Sequence, residues 1–124
     1  MAYAVKLTAP AEADAYAAFE RIREVSPARA EKWLWNLFAR IQTLEEMPTR
    51  CPLISEAEEL GHPVRHLLYG KRTGIYRILF DVHEQLEDGP LVRVLWIWRG
   101  TGEESFHEQI QEQAAHLHGR PLRP

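Results

Sequence analysis

Short runs with strand-like alternation and two segments with helical spacing predict an α+β domain. The predicted order is an N-terminal strand, a helical hairpin, an antiparallel three-strand meander and a C-terminal helix. The chain has 124 residues, of which 45% are hydrophobic and 27% are charged, and this composition suits one compact domain with its own core. We therefore predict a single domain over residues 1–118, followed by a disordered tail at residues 119–124.

The first predicted elements are one strand and two helices. Residues 2–8 alternate apolar and polar side chains, which predicts a strand. Residues 10–25 begin with a proline and carry apolar residues at helical spacing, which predicts an amphipathic helix. A second helix is expected to begin at Ser26, a typical N-cap, with Pro27 at its first helical position. Its apolar stripe runs until Pro48, which cannot continue a helix.

The second half of the chain predicts the rest of the sheet and a last helix. Residues 48–63 hold three prolines and an acidic cluster, so they are interpreted as a linker within the domain. Three strands are predicted at residues 64–69, 75–82 and 91–99. Their short connections favour an antiparallel meander. Thr101 and Glu104 have the spacing of a capping box, so they predict the start of the C-terminal helix.

The composition also excludes several classes of protein. No segment reaches the roughly 18 apolar residues of a membrane span, and the first residues do not resemble a secretory signal, so a cytoplasmic protein without membrane contact is expected. Cys51 is the only cysteine, so no internal disulfide is expected. No cluster of histidine and carboxylate residues suggests a metal site, and no cofactor is predicted. The net charge of −3 argues against a general nucleic-acid binder.

One basic segment stands out within this acidic chain. Between residues 65 and 77 there are four basic residues and no acidic one: Arg65, Lys71, Arg72 and Arg77. Such a patch can bind phosphate even when the whole protein is acidic, so Arg65, Lys71 and Arg72 are candidate substrate-binding residues. For Lys71 and Arg72, the alternative is a solvated charged turn.

The two-residue period of the last two strands sorts their side chains into two faces. The face expected under the helices is entirely apolar and consists of Tyr76, Ile78, Phe80, Val82, Val92, Val94, Trp96 and Trp98. The opposite, open face is mixed and consists of Ile75, Arg77, Leu79, Asp81, Leu91, Arg93, Leu95, Ile97 and Arg99, with Arg65, Leu67 and Tyr69 from the preceding strand. By the same count, His66 falls on the covered face as a partly buried histidine.

The arginines are thus expected to cluster on the open face. Several guanidinium groups on a half-apolar surface call for an anionic partner, either the phosphates of a ligand or the carboxylates of a protein. Arg93 joins the candidate substrate-binding residues on this basis. The alternative is that each arginine pairs with Asp81, Glu103 or Glu104 and only keeps the face soluble.

The order of elements, the strand "YRILFDV" and the strand "VRVLWIWRG" resemble the RelE/ParE superfamily of bacterial type II toxin–antitoxin toxins, once called plasmid stabilisation proteins. The resemblance spans the chain from the first strand through Arg99. It implies a toxin with a RelE/ParE-like fold and a cognate antitoxin. The target would be translation, through the ribosome and mRNA, or replication, through DNA gyrase.

In the nuclease branch of that superfamily, basic residues bind the mRNA backbone and no metal is needed. By motif match, Arg77 would be the transition-state arginine, Arg99 the second phosphate ligand and Arg65 an RNA-positioning residue. Where that branch often has a tyrosine or a His–Tyr pair, this chain has Phe106 and His107. His107 is therefore the candidate general acid or base, and its alternative is a solvated histidine.

The missing tyrosine and the acidic charge favour the ParE-like branch, whose members inhibit gyrase without cleaving RNA. The antitoxin implied by either branch would wrap the toxin, with apolar contacts along the helices and acidic ones near the arginines. Trp35 is a candidate anchor for it, or else a surface aromatic packed on the linker. A hypothesis from a different class is a non-catalytic RNA- or protein-binding module of the same fold.

Overall fold

The computed structural model describes residues 2–54, 57–71 and 74–100, with the side chains of residues 57 and 58 left out. The elements in chain order are strand β1 (Ala4–Leu7), helix α1 (Ala9–Val25), helix α2 (Pro27–Gln42), 3₁₀ turns at Thr43–Glu45 and Pro48–Arg50, the short helix α3 (Ala57–Leu60), and strands β2 (Arg65–Tyr69), β3 (Tyr76–His83) and β4 (Leu91–Arg99). The α+β class is confirmed. The predicted C-terminal helix and the tail at residues 119–124 lie outside the described residues.

The two long helices form the predicted hairpin, and each begins at a side-chain cap. The Thr8 hydroxyl accepts a hydrogen bond from the Ala11 N–H at 3.2 Å, and the Ser26 hydroxyl accepts one from the Arg29 N–H at 3.3 Å. Pro27 occupies the start of α2, as the sequence predicts. Ser26 ends one helix and caps the next, so the hairpin needs no separate loop.

The four strands form one sheet in the order β1-β4-β3-β2. The pairs β2–β3 and β3–β4 are antiparallel, which confirms the predicted meander. Strand β1 pairs parallel with β4, from Ala4 opposite Leu91 to Leu7 opposite Val94. The last strand of the described chain is therefore central, and the sheet is mixed.

The helices cover one face of the sheet, and the linker covers part of the other. The hairpin packs on one face over a core that includes Leu37, Ile41, Ile78, Phe80 and Val94. On the other face, the segment before β2 contributes Ile54, Leu60 and Val64 to a second cluster with Leu79, Leu95, Trp96 and Trp98. The expectation of an open sheet face is wrong, because the proline-rich linker folds back and covers part of it.

A β-bulge at Leu95 changes which side chains of β4 share a face. Phe80 pairs with Val94 but Leu79 pairs with Trp96, so Leu95 is an extra residue in β4. From Trp96 onward the alternation is inverted relative to an uninterrupted strand. We call the side of the sheet that the hairpin covers the helix face, and the side that the segment before β2 covers the linker face. The sequence predicts Trp96 and Trp98 on the helix face, but they lie on the linker face. Ile97 and Arg99 were predicted on the open face, but they lie on the helix face.

The register of β2 requires a similar correction. Arg65, Leu67 and Tyr69 pair with Phe80, Ile78 and Tyr76, which are residues of the helix face. All three were predicted on the open face. His66 pairs with Leu79 and therefore lies on the linker face, whereas the sequence predicts it on the helix face. The count failed because the parity of β2 relative to β3 depends on the turn between them.

Helix α1 caps the part of β4 that extends beyond β1. The Thr8 hydroxyl donates to the Leu95 carbonyl at 2.9 Å, and the Asp14 carboxylate accepts the Ile97 N–H at 2.9 Å. These bonds satisfy backbone groups that β1 is too short to reach. Burial raises the pKa of the Asp14 carboxyl above its usual value, while the Ile97 hydrogen bond and the charge of Arg21 oppose that rise.

Candidate functional site

Arg77 and Arg99 lie on opposite faces of the sheet. Arg77 is opposite Trp98, a member of the cluster on the linker face. Arg99 is opposite Tyr76, whose ring packs on Trp33 of α2 with 5.0 Å between ring centroids. Residues directly opposite each other in an antiparallel pair project to the same side, so the two arginines project to different sides. The structure does not bring together the arginine cluster that the sequence predicts.

Arg77 contacts a histidine on the linker face. One of its terminal nitrogens lies 3.0 Å from Nδ1 of His66. A guanidinium group has donors only, so it donates this hydrogen bond and the Nδ1 atom accepts it. The geometry therefore selects the neutral His66 tautomer that carries its proton on Nε2.

Arg93 is held by a buried carboxylate. It donates to both oxygens of Asp81, at 3.2 and 2.8 Å, and the Asp81 side chain is only 4% exposed. His83 also lies 3.0 Å from this carboxylate, and His62 of the linker lies 3.4 Å from it. The sequence left open the alternative that an arginine of this face pairs with Asp81. Arg93 makes that pair.

Arg65 is bound to the linker. It donates to the Cys51 carbonyl at 2.6 Å and to the Thr49 carbonyl at 3.3 Å. Lys71 is exposed in the turn between β2 and β3. In that turn Gly70 has a φ of +104°, and a Cβ atom there would lie 2.1 Å from the Gly74 oxygen, so the turn requires glycine.

Two predicted site residues cannot be placed. Arg72 and His107 both lie outside the described residues. Their proposed roles, in substrate binding and in general acid–base catalysis, stay predictions.

A different set of arginines lines a cleft at the end of the sheet where the hairpin packs. We call it the arginine cleft; it has a volume of about 350 Å³ and is lined by Arg21, Ile22, Val25, Arg29, Trp33, Gly74, Tyr76 and Arg99. Of its three arginines, the sequence singled out only Arg99. Arg21 and Arg29 come from α1 and α2, and the one local signal near them is the absence of an acidic residue from the first turn of α2.

The outer side of the hairpin carries an apolar groove. This hairpin groove has a volume of about 630 Å³ and is lined by Phe19, Ala28, Glu31, Lys32, Leu34, Trp35 and Phe38. Trp35 is 79% exposed there, which is unusual for a tryptophan. The groove is therefore a candidate protein-binding surface, and its lining includes the charged residues Glu31 and Lys32.

Two other types of site have requirements that the described residues do not meet. Within residues 2–54, 57–71 and 74–100, no group of three or more His, Cys, Asp or Glu side chains is placed to hold a metal ion. None of the helices in this part of the chain combines the length and apolar character needed to cross a bilayer. The site is thus described by its arginines, its aromatic rings and its apolar groove.

A comparison with protein-family models gives a match. The family model described as "ParE toxin of type II toxin-antitoxin system, parDE" matches residues 5–104. The matched range includes β1 apart from Ala4, the strands β2, β3 and β4, both long helices, and the residues of the arginine cleft and the hairpin groove. No curated protein matches the chain.

Proposed function

Because the chain belongs to the ParE toxin family of type II toxin–antitoxin systems, we propose that it arrests growth by binding DNA gyrase and does not cleave RNA. The cognate antitoxin that such a system implies would neutralise it by occupying the hairpin groove. The observation that carries the gyrase proposal is the placement of Arg77 and Arg99 on opposite faces of the sheet.

Cleavage of RNA without a metal requires several groups to converge on one phosphate. Arg77 projects toward the cluster of Trp96 and Trp98, whereas Arg99 projects toward α1 and α2. This separation disfavours the shared phosphate that the nuclease reading assigns to the two arginines. It is compatible with a protein target, which can contact separate patches of the toxin surface.

The other candidate arginines also support a binding role over catalysis. Arg93 is engaged by Asp81 and Arg65 by two backbone carbonyls, so both would have to break hydrogen bonds before contacting an RNA backbone. Their present contacts stabilise the sheet and the linker. We therefore assign ligand or partner contacts to the arginine cleft, where three arginines of the described surface lie together.

The hairpin groove supports the proposed antitoxin contact. Its lining includes the apolar residues Phe19, Leu34 and Phe38 and the exposed Trp35. Such a groove suits the apolar face of an amphipathic helix or extended segment, and an exposed tryptophan is a common hot spot of such interfaces. Acidic residues of the antitoxin would complement Lys32 at the rim and the nearby arginine cleft.

One observation favours mRNA cleavage as a second candidate function. The Arg77–His66 pair combines a phosphate-binding group with an imidazole that can transfer protons, 3.0 Å apart. In this version the linker face would carry the site, with Arg77 as the transition-state arginine and His66 or His107 as the acid or base. Arg99 would then have no part in the chemistry.

The deciding experiment is pulse labelling during induced expression in a bacterial host. Incorporation of thymidine and of methionine is followed over the first minutes, beside a parallel culture that expresses Arg77→Ala. We expect thymidine incorporation to fall first, and purified protein to inhibit plasmid supercoiling by gyrase. An early fall of methionine incorporation that Arg77→Ala abolishes would overturn the gyrase proposal in favour of mRNA cleavage. No change in either label would favour the non-catalytic binding module.

A further inference from the structure

We infer that the arginine cleft binds a nucleotide, with the phosphate held by Arg21, Arg29 and Arg99 and the base stacked on the ring of Trp33. This inference goes beyond the proposed function, because neither gyrase binding nor antitoxin binding assigns a small ligand to the toxin. It depends only on the described residues of the cleft and not on the identity of the target.

The charge of the cleft calls for an anion. Three guanidinium groups reach it from three different elements, and among the described residues that line it none is acidic. Asp14 attracts Arg21, but its carboxylate is bound to the Ile97 N–H and is not part of the lining. Guanidinium groups bind phosphate through paired N–H donors, so three of them suit a phosphate better than a single carboxylate.

The start of α2 adds to the positive potential. Arg29 lies in its first turn, next to the backbone N–H groups that carry the positive end of the helix dipole. The first turn of α2 has no acidic residue, although such residues usually stabilise this end of a helix. A phosphate at the mouth of the cleft would supply the missing negative charge.

A fixed aromatic ring stands beside these charges. Trp33 is half-buried, and its ring packs on Tyr69 and Tyr76 with centroid distances of 5.8 and 5.0 Å. The Tyr69 hydroxyl also donates to the Trp33 carbonyl at 2.8 Å, which fixes the backbone at this position. A ring that is already oriented loses little conformational entropy when a base stacks on it.

The remaining lining fits the same ligand. Ile22 and Val25 give the cleft an apolar wall on the side of α1, where a base rather than a sugar or phosphate would lie. The volume of about 350 Å³ is at the lower end of the range for small-molecule sites, which suits one nucleotide and excludes a folded domain. The nucleotide could be free or the 5′-phosphorylated end of a nucleic-acid strand, since both present the same groups.

Titration calorimetry on the full-length chain, made by cell-free synthesis, tests the inference. The ligands are AMP, ribose 5-phosphate, inorganic phosphate, a 5′-phosphorylated tetranucleotide and a hexapeptide of aspartate and glutamate. We expect AMP to bind at least about tenfold more tightly than ribose 5-phosphate, because only AMP stacks on Trp33. Tighter binding of the tetranucleotide than of AMP would identify a strand end as the source of the nucleotide, and the reverse would identify a free nucleotide.

Matched variants locate the binding. Arg29→Gln and Arg99→Gln should each weaken AMP binding by about tenfold or more, because each removes a charged hydrogen-bond donor to phosphate. Arg23→Gln is the control, since Arg23 lies on the same helix as Arg21 but pairs with the exposed Glu20 at 2.6 Å. It should change AMP affinity by less than about twofold. Thermal unfolding of each variant without ligand verifies that it is folded.

Three outcomes would overturn the inference. The first is no detectable AMP binding by the folded wild-type chain at millimolar ligand. The second is equal affinity for AMP, ribose 5-phosphate and inorganic phosphate, or equal weakening by Arg23→Gln, because either result removes the specific cleft. The third is tighter binding of the acidic peptide than of AMP with loss in Arg99→Gln, which would make the cleft a peptide site. All three are independent of growth arrest, so they are distinguishable from a failure of the gyrase proposal.

Discussion

Arg77 and Arg99 are separated by the sheet that carries both of them, because the bulge at Leu95 shifts the register between β3 and β4. Two residues that bind the same phosphate are energetically coupled, whereas residues in separate patches act independently. The position of these arginines on the two faces can therefore be tested without a structure of any complex.

We predict that the effects of Arg77→Gln and Arg99→Gln on toxin activity are additive. In a double-mutant cycle, the coupling energy should be within about 0.5 kcal/mol of zero. The readout is the toxin concentration that halves gyrase supercoiling activity. A coupling energy of about 1 kcal/mol or more would mean that the two side chains meet on one ligand group, against the face assignment.

A second prediction concerns the buried carboxylate of Asp81. Asp81→Asn should lower the free energy of unfolding by about 3–5 kcal/mol, because it leaves the mostly buried Arg93 charge without its counter-ion. The double variant Asp81→Asn with Arg93→Gln should be more stable than Asp81→Asn alone. Urea unfolding followed by circular dichroism measures both. The exposed Glu84→Gln is the control, and if it destabilises as much as Asp81→Asn, the buried pair is not the cause.

A third prediction follows from the raised pKa of Asp14. The Asp14 carboxyl binds a proton more tightly in the folded protein than in the unfolded chain. Its contribution to the free energy of unfolding therefore declines as the pH rises from the usual pKa of 3.8 through the raised pKa of the folded state. The difference in that free energy between wild type and Asp14→Asn should therefore shrink with rising pH. Urea titrations across this acidic range measure it, with the exposed Glu12→Gln as control. A difference that grows with pH would mean that the attraction of Arg21 outweighs burial.

The hairpin groove gives a fourth prediction. Trp35→Ala should change the free energy of unfolding by no more than about 0.5 kcal/mol, because the side chain is largely exposed. It should weaken binding of the cognate antitoxin by about 2 kcal/mol or more, as the loss of an aromatic hot spot does. Titration calorimetry with the purified antitoxin measures the affinity. Tyr16→Ala is the control, since Tyr16 is also exposed on the hairpin but lies outside the groove. Equal losses in both variants would place the antitoxin elsewhere.

These predictions start from a fold that could be predicted and a site that could not. The start of α2 at Ser26 and Pro27 follows from local chemistry that is visible in a single sequence. The same is true of the meander of three strands. The face on which each side chain of β4 lies beyond Leu95 could not be predicted in this way. A bulge adds one residue to the strand there, and no residue type in the sequence marks the bulge. For this reason the faces predicted for Trp96 and Trp98 and those predicted for Ile97 and Arg99 are the reverse of the observed ones.

The arginine cleft was missed for a different reason. Arg21 and Arg29 are far from Arg99 in sequence, and only the packing of the hairpin on the sheet brings the three together. A helix start without an acidic residue was the one visible signal, since Arg29 takes the place that an acidic residue usually has. Asp14 was missed for the same reason, since only the packing of α1 on the sheet brings its carboxylate to the backbone of β4.

The position of β4 between β1 and β3 has a consequence for incomplete translation products. The strand at the centre of the sheet is made after every other described element, and β1 has its partner only when residues 91–94 have been synthesised. A chain released before that point has no strand to join β1 to the meander, and α1 has no β4 backbone to cap. Abortive translation of this toxin therefore yields fragments without the fold, which are substrates for proteases rather than partial toxins.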